Sequence, residues 1–252
     1  MKCKNKFQNQ RRNTKLCSKI FKQYVWQRQT LEDLAGTYNK SNKWVQTKLD
    51  EVESSKKIKV LFRKVVIITD TTFFSKTDGL TVFREPNTKQ NLWWKHAAHE
   101  TADIYKQGRQ CLERNGFTIK AAVLDGRRGV REVFADIPVQ MCHFHQKQII
   151  NRYLTTRPKL EASRELRRIL LHLPTINEEC FTKKLNYWHE RWEYFLEEKT
   201  INPETERWCY THKRVRSAYR SLITNLPYLF TCQKYPGLYI PNTTNSLDGF
   251  FI

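Results

Sequence analysis

The stretch Val65-Val66-Ile67-Ile68-Thr69-Asp70-Thr71-Thr72-Phe73-Phe74 decides how the rest of the chain is read. It is β-branched and aromatic without polar alternation, the pattern of a strand buried on both faces. Asp70 interrupts that pattern. An ionised carboxylate away from water must be paired or must hold a metal. One reading is an acid paired with an arginine, or one that caps the strand end. The other gains weight from a second apolar run, Ala121-Ala122-Val123-Leu124, which also ends in an acid, at Asp125-Gly126. Two acids at the ends of two core strands, in a very basic chain, point to a metal site that works on phosphates.

Outward from these strands, composition narrows the class. The 252 residues suffice for one large domain plus a small one. Hydrophobic residues make up 39% and aromatic residues 13%, which supports a true core and excludes a disordered tail. Lys and Arg number 45 against 25 Asp and Glu, a net +20, which implies a polyanionic partner, nucleic acid first. The excess is uneven: residues 1–60 hold 15 Lys/Arg against 5 Asp/Glu, and the first 28 residues hold no acid. No stretch approaches a membrane span and no apolar signal region follows the N-terminus, so the expected compartment is cytosolic. Seven scattered Cys form no disulfide framework, and no CxxC pair encodes a zinc ribbon.

Residues 1–14 read as a basic arm and 15–55 as three helices in a helix-turn-helix pattern. Thr30 and Ser41 are expected N-caps. Trp44, Val45 and Leu49 face one side of the third helix. Lys43, Gln46, Thr47 and Lys48 lie on the others, free to enter a major groove. The alternative is a plain three-helix cap with solvated charges. After a Lys-rich linker at 52–59, extended runs at 65–74, 80–85 and 91–99 read as an antiparallel meander, with turns at Lys76–Gly79 and Glu85–Thr88. A helix from Glu100 to Arg114, a strand at 118–124, a short helix from Arg127 to Ala135, a strand from Val139 to Phe144 and a helix from Gln146 to Leu154 follow. That order is α/β with a mixed sheet, occupying 60–156. Residues 157–235 read as a helical insertion whose Trp and Tyr residues, at helical spacing, belong to its core. Residues 236–252 close the chain. There Thr244 or Asn245 caps a helix with Asp248 in its first turn, as a capping acid or as a third metal carboxylate.

Four segments in this order carry a resemblance: Asp70 in Ile-Thr-Asp-Thr-Thr-Phe-Phe, Asp125 in Leu-Asp-Gly-Arg-Arg-Gly, Cys142-His143-Phe144-His145-Gln146, and Asn242-Thr243-Thr244-Asn245-Ser246-Leu247-Asp248-Gly249. Together they resemble bacterial insertion-sequence transposases of the Mutator-like group, over nearly the whole chain. The resemblance implies an RNase H-like fold with a DDE-type site for cleavage and transfer of DNA strands. Asp70 and Asp125 match the first two metal-binding acids, and Asp248 falls at the third. Cys142 and His145 match a Cys-x-x-His signature near the active site; the alternative is a buried thiol and a hydrogen-bonded His at a strand end. The implied cofactor is Mg²⁺ or Mn²⁺, two ions roughly 3.5–4 Å apart on three carboxylates. The implied partners are terminal inverted repeats and target DNA, bound by a homo-oligomer on the nucleoid of a bacterial cytoplasm. Arg127 and Arg128 are placed to hold flanking phosphates, or else decorate a solvated turn.

The chain departs from that family in three ways. The third acid is usually Glu, whereas Asp248 is one methylene shorter. Four residues follow Asp248 where the family has a long helix and a basic tail. Only Cys3 and Cys17 stand where relatives often carry a Cys-paired zinc segment. The expectation is a truncated product that binds DNA and cleaves poorly or not at all. The competing readings are a non-enzymatic helix-turn-helix DNA-binding protein, and a nuclease of the same fold that never joins strands.

Overall fold

A computed structural model describes residues 14–52, 63–201, 203–204 and 206–248, with the side chains of Thr14 and Asp248 outside the description. The basic arm expected at 1–14 and the linker at 52–59 thus lie almost wholly outside the described residues. The chain divides into two compact units, Met1–Lys59 and Val60–Ile252.

The smaller unit holds three helices, α1 (Thr14–Trp26), α2 (Leu31–Tyr38) and α3 (Asn42–Asp50). Both expected caps form. The Thr30 hydroxyl accepts from the Asp33 amide, and the Asp33 carboxylate accepts from the Thr30 amide in return, a closed capping box. The Ser41 hydroxyl accepts from the Trp44 amide. Between the two helices Asn39 takes the left-handed conformation (φ 49°), which a short polar side chain tolerates. Ile20, Leu34 and Val45, one from each helix, are fully buried at the centre.

The larger unit is mixed α/β. Its strands are β1 (Arg63–Phe73), β2 (Gly79–Glu85), β3 (Gln90–Ala97), β4 (Phe117–Leu124) and β5 (Val139–Met141). They form one five-stranded sheet in the order β3-β2-β1-β4-β5. β1, β2 and β3 run antiparallel as a meander, while β4 and β5 run parallel to β1. The helices are α4 (Ala102–Arg114), α5 (Arg128–Val133), α6 (His143–Leu154), α7 (Glu161–Leu171) and α8 (Glu178–Glu197), followed by α9 (Lys213–Leu229), α10 (Thr231–Lys234) and α11 (Asn245–Asp248). A hairpin of β6 (Lys199–Ile201) and β7 (Trp208–Tyr210) lies between α8 and α9.

β1 is central, so its run Val65–Thr69 is buried on both faces. On one face Val66 and Ile68 join Val82, Ala121, Val123, Cys142, Ile240 and Leu247. On the other, Phe83 packs against Tyr105 of α4 and against Phe134 just beyond α5. Residues two apart along a strand share a face, so Asp70 belongs with Val66 and Ile68.

One expected element is shorter than its sequence suggests. The strand read from Val139 to Phe144 stops at Met141, and α6 begins at His143 rather than Gln146. A strand needs a ladder partner. β4 ends at Leu124, whose carbonyl accepts from the Cys142 amide (2.8 Å), and the next amide, His143, turns to the carbonyl of Asn242 instead (2.8 Å). Freed from the sheet, the chain turns into α6.

Helices α7, α8 and α9 enclose a second core containing Leu166, Leu170, Phe181, Leu185, Trp188 and Leu222. Trp188 is 1% exposed, and its indole N–H donates to the Ala162 carbonyl (2.9 Å), so its one polar atom is satisfied inside that core. No helix among the described residues is long and apolar enough to cross a membrane.

Candidate active site

The register of the sheet brings the two acids together. β1 and β4 are adjacent and parallel with Ile68 opposite Val123, so Asp70 and Asp125 leave the same edge of the sheet side by side. The carboxyl ends of parallel strands are where α/β sheets open onto a crevice. The crevice here is about 540 Å³, lined by Glu100, Asp125, Arg127, His145, Arg152 and Tyr153.

Among the described residues no arginine pairs with Asp70. Its Oδ1 accepts from the Thr71 amide (2.8 Å), and Oδ2 lies 3.5 Å from His145 Nε2. Only 17% of its side chain is exposed. Burial, partly offset by the His145 charge and the Thr71 amide and reinforced by the charges of Asp125 and Glu100, pushes its pKa up to about 6. Asp125 accepts from the Arg127 amide through Oδ1 (3.0 Å), which folds the Asp125–Arg127 turn back on itself. Gly126 sits at φ +93° in that turn. A Cβ there would collide with the Met141 thioether, so both conformation and space demand glycine.

Cys142 and His145, four residues apart counted inclusively at the start of α6, lie next to the acids. Burial works against the His145 imidazolium, but the Cys142 sulfur beside it and the charges of Asp70, Cys142 and Asp125 outweigh burial and raise its pKa to about 9. Burial likewise disfavours the Cys142 thiolate, while the polar contacts of His145 and Thr244 pull the thiol pKa down. No well-directed hydrogen bond joins the ring to the sulfur: His145 Nδ1 is buried without a partner. The Thr244 amide donates to Cys142 Sγ (3.4 Å), which ties the approach to α11 to the start of α6. Leu247 of α11 is buried against the β1–β4 face, and Asp248 follows it in the chain; the position of the Asp248 carboxylate lies outside the described residues.

Glu100, just before α4, is a site residue that no sequence motif marks. Its side chain is 11% exposed, accepts from the Tyr105 hydroxyl (2.6 Å) and pairs with Arg127 (2.9 Å). Tyr105 also meets the Thr71 hydroxyl (3.1 Å), so a chain of contacts runs from Arg127 through Glu100 and Tyr105 to the residue after Asp70. Burial raises the Glu100 pKa, the Tyr105 bond opposes that, and the Asp125 charge adds to it. Arg127 therefore already has a carboxylate partner, whereas Arg128 is 93% exposed and, among the described residues, pairs with Glu132 one turn on.

Of the candidate residues on α3, Lys43 and Gln46 are exposed. The Thr47 hydroxyl donates back to the Lys43 carbonyl (2.9 Å), and Lys48 is paired with Glu51 (2.7 Å).

Among the described residues no group of three or more His, Cys, Asp and Glu side chains is arranged to hold a metal ion. Asp70 and Asp125 nevertheless suit one chemically. They are neighbouring oxygen donors, and Asp70 is a largely buried carboxylate whose counter-charge is the His145 imidazole 3.5 Å away.

Asp125 stands just past the end of β4 as expected, but Asp70 lies inside β1, which continues to Phe73 because β2 still pairs with it there. The fold and site together define a mixed α/β protein with an acid within β1, an acid just past β4, a histidine and a glutamate near one crevice. No family model and no curated protein matches the chain. Among solved structures it is similar to the Drosophila P element transposase strand transfer complex, at 14% identity and a TM-score of 0.38. The similarity covers 98% of this chain, which spans 65% of that one. A likeness this slight assigns no residue and no activity.

Proposed function

We propose that this chain is a DDE-type DNA transposase with an RNase H-like larger unit, acting through Asp70 and Asp125 by phosphoryl transfer on DNA. The observation that carries the reading is the pairing of β1 with β4, which sets two carboxylates side by side at one end of the sheet, Asp125 lining the crevice and Asp70 beside His145. The strand order β3-β2-β1-β4-β5, antiparallel then parallel, is that of the RNase H-like architecture and supports the same class.

Asp70 and Asp125 would hold Mg²⁺ or Mn²⁺, with Asp248 the candidate third carboxylate. Such an ion, when bound, supplies Lewis-acid stabilisation of charge on a scissile phosphate. The protein's own groups do the rest. The Thr71 amide and His145 fix the Asp70 carboxylate, and the Arg127 amide fixes that of Asp125. Glu100 holds the Arg127 side chain at the crevice rim, where it faces an incoming phosphodiester. The α1–α3 unit binds the duplex as a helix-turn-helix, with Lys43 and Gln46 on its exposed face and the net charge of +20 drawing DNA in.

Nicking of supercoiled plasmid with Mg²⁺ or Mn²⁺ tests this. Wild type should nick, which would remove the expectation of a chain too short to cleave, and Asp70→Asn and Asp125→Asn should each lose activity about 100-fold or more, on the scale of losing one transition-state charge stabiliser. Salt-sensitive DNA binding should persist in both. Nicking at the wild-type rate by either variant would remove the reading.

A further inference from the structure

Half of the lining of the crevice beside Asp125 comes from one helix: His145, Ile149, Arg152 and Tyr153 of α6 all border it. At 3.6 residues per turn, positions 145, 149, 152 and 153 fall within about 100° of one another, so they form one continuous stripe. The stripe starts at His145, 3.5 Å from Asp70. It ends at Arg152 and Tyr153, roughly 10–12 Å farther along the axis at 1.5 Å per residue.

That end is pinned through its backbone. Arg214 of α9 donates through Nε to the Tyr153 carbonyl (2.8 Å) and through Nη2 to the Arg152 carbonyl (2.7 Å). Both carbonyls belong to the last turn of α6, where no intrahelical donor is left for them, and a cation there also suits the helix dipole. The grip leaves the two side chains free. Both residues are exposed, and among the described residues neither the Arg152 guanidinium nor the Tyr153 hydroxyl has a hydrogen-bond or ion-pair partner. The two arginines of the crevice therefore differ. Arg127 is paired with Glu100 (2.9 Å), whereas the charge of Arg152 is unanswered. A phosphodiester brought to Asp125 and Glu100 is repelled by them, and a free cation on the same wall offsets that. The plain alternative is a solvated arginine beside a surface tyrosine. Against it stand their place on the stripe that begins next to Asp70 and the second arginine that fixes their backbone.

The geometry points to a strand-holding site at the C-terminal end of α6: the Arg152 guanidinium and the Tyr153 hydroxyl take a phosphate of the DNA strand engaged at Asp125. Arginine and tyrosine side chains are both regular donors to DNA phosphates. One strand advances about 3.4 Å per nucleotide along the duplex, so the length of the stripe corresponds to about three nucleotides. That is too far for the phosphate under attack and suits a flanking one. Arg152 and Tyr153 are thus positioning residues, which set where the strand lies without touching the reacting atoms. The inference rests on the phosphoryl-transfer reading for the identity of the strand.

The test reads DNA binding by the full chain in EDTA, so that no strand is cut. The probe is a fluorescein-labelled random-sequence duplex, followed by anisotropy over a series of KCl concentrations. Arg152→Gln should weaken binding about five- to tenfold at about 0.1 M salt and lower the slope of log affinity against log salt by about 0.9, the worth of one phosphate contact. Arg152→Lys should keep the slope. Tyr153→Phe should weaken binding about two- to fivefold at an unchanged slope, as loss of an uncharged hydrogen bond does. Lys147, exposed and about 200° round α6 from His145, is the control, and Lys147→Gln should leave the slope as it is. A slope unaltered by Arg152→Gln, or lowered as much by Lys147→Gln, overturns the proposal. In plasmid nicking with Mg²⁺, Arg152→Gln should raise KM and leave kcat; a fall in kcat at constant KM overturns the positioning role. A wild type whose binding slope depends on Arg152 but which never nicks would remove the catalytic reading and leave the strand contact. Nicking without that dependence would do the reverse.

Discussion

Replacing Asp70 with Asn should stabilise the larger unit while silencing it. The ordinary carboxyl value is 3.8, and burial carries Asp70 to about 6 in the folded chain. A carboxyl with a higher pKa folded than unfolded binds more protons in the folded state. Its ionisation therefore lowers stability progressively as pH rises from about 4 to about 6, and the loss stays constant above that. At about 1.4 kcal/mol for each tenfold change in the ionisation equilibrium, the displacement amounts to about 3 kcal/mol. The side chain is 17% exposed, so little of this is screened away. Removing the charge also takes a partner from His145, whose own raised pKa favours folding below about 9, and this subtracts part of the gain. The expectation at pH 7.5 without divalent ions is that Asp70→Asn is more stable by about 1–3 kcal/mol, an advantage that vanishes near pH 4. Urea unfolding of both proteins at pH 4, 5, 6 and 7.5 measures it. Curves for the two proteins that run parallel across that range, or a variant less stable by the same amount at every pH, would show that Asp70 is not the desolvated acid described. Mg²⁺ should then narrow the gap by stabilising wild type and not the variant.

Four further outcomes are expected. Gly126→Ala places a Cβ against Met141 at a φ of +93° and should lower the thermal midpoint and abolish nicking together, since it displaces the turn that carries Asp125. Trp188→Ala empties the core of the α7–α9 helices and removes the indole N–H that donates to the Ala162 carbonyl; a loss of about 3–5 kcal/mol in urea unfolding is the scale for a buried aromatic. Thr30→Ala removes the capping box of α2 and should cost about 1 kcal/mol, read as faster amide exchange at Asp33 and Leu34. Lys43→Ala should weaken DNA binding about equally on all sequences and reduce the slope of log affinity against log salt by about one, as loss of one phosphate contact does.

How much of this was legible in the sequence varies with the range of the interaction. The N-caps at Thr30 and Ser41, the meander, and the crossover from antiparallel to parallel strands follow from local pattern, and the structure repeats them within a residue or two. The end of β5 could not be read locally, because Cys142-His143-Phe144 has the composition of a strand and stops being one only where β4 gives out. The pairing of Arg127 with Glu100 likewise shows only in three dimensions, while that of Lys48 with Glu51 is a local contact of residues three apart at the end of α3. It leaves Lys43 and Gln46 as the open part of the α3 face.

By itself the sequence determined that an acid follows each of two apolar runs, because a run such as Val65–Thr69 is stable only in a sheet covered on both faces and a carboxylate directly after it is conspicuous from composition alone; that β1 continues past Asp70 to Phe73 was decided by its pairing with β2. Only the tertiary structure decided that those strands are neighbours and that Glu100 and His145 complete the surroundings of the two acids. Burial, register and ion pairing depend on which distant segments meet, and no local pattern of residues encodes that meeting.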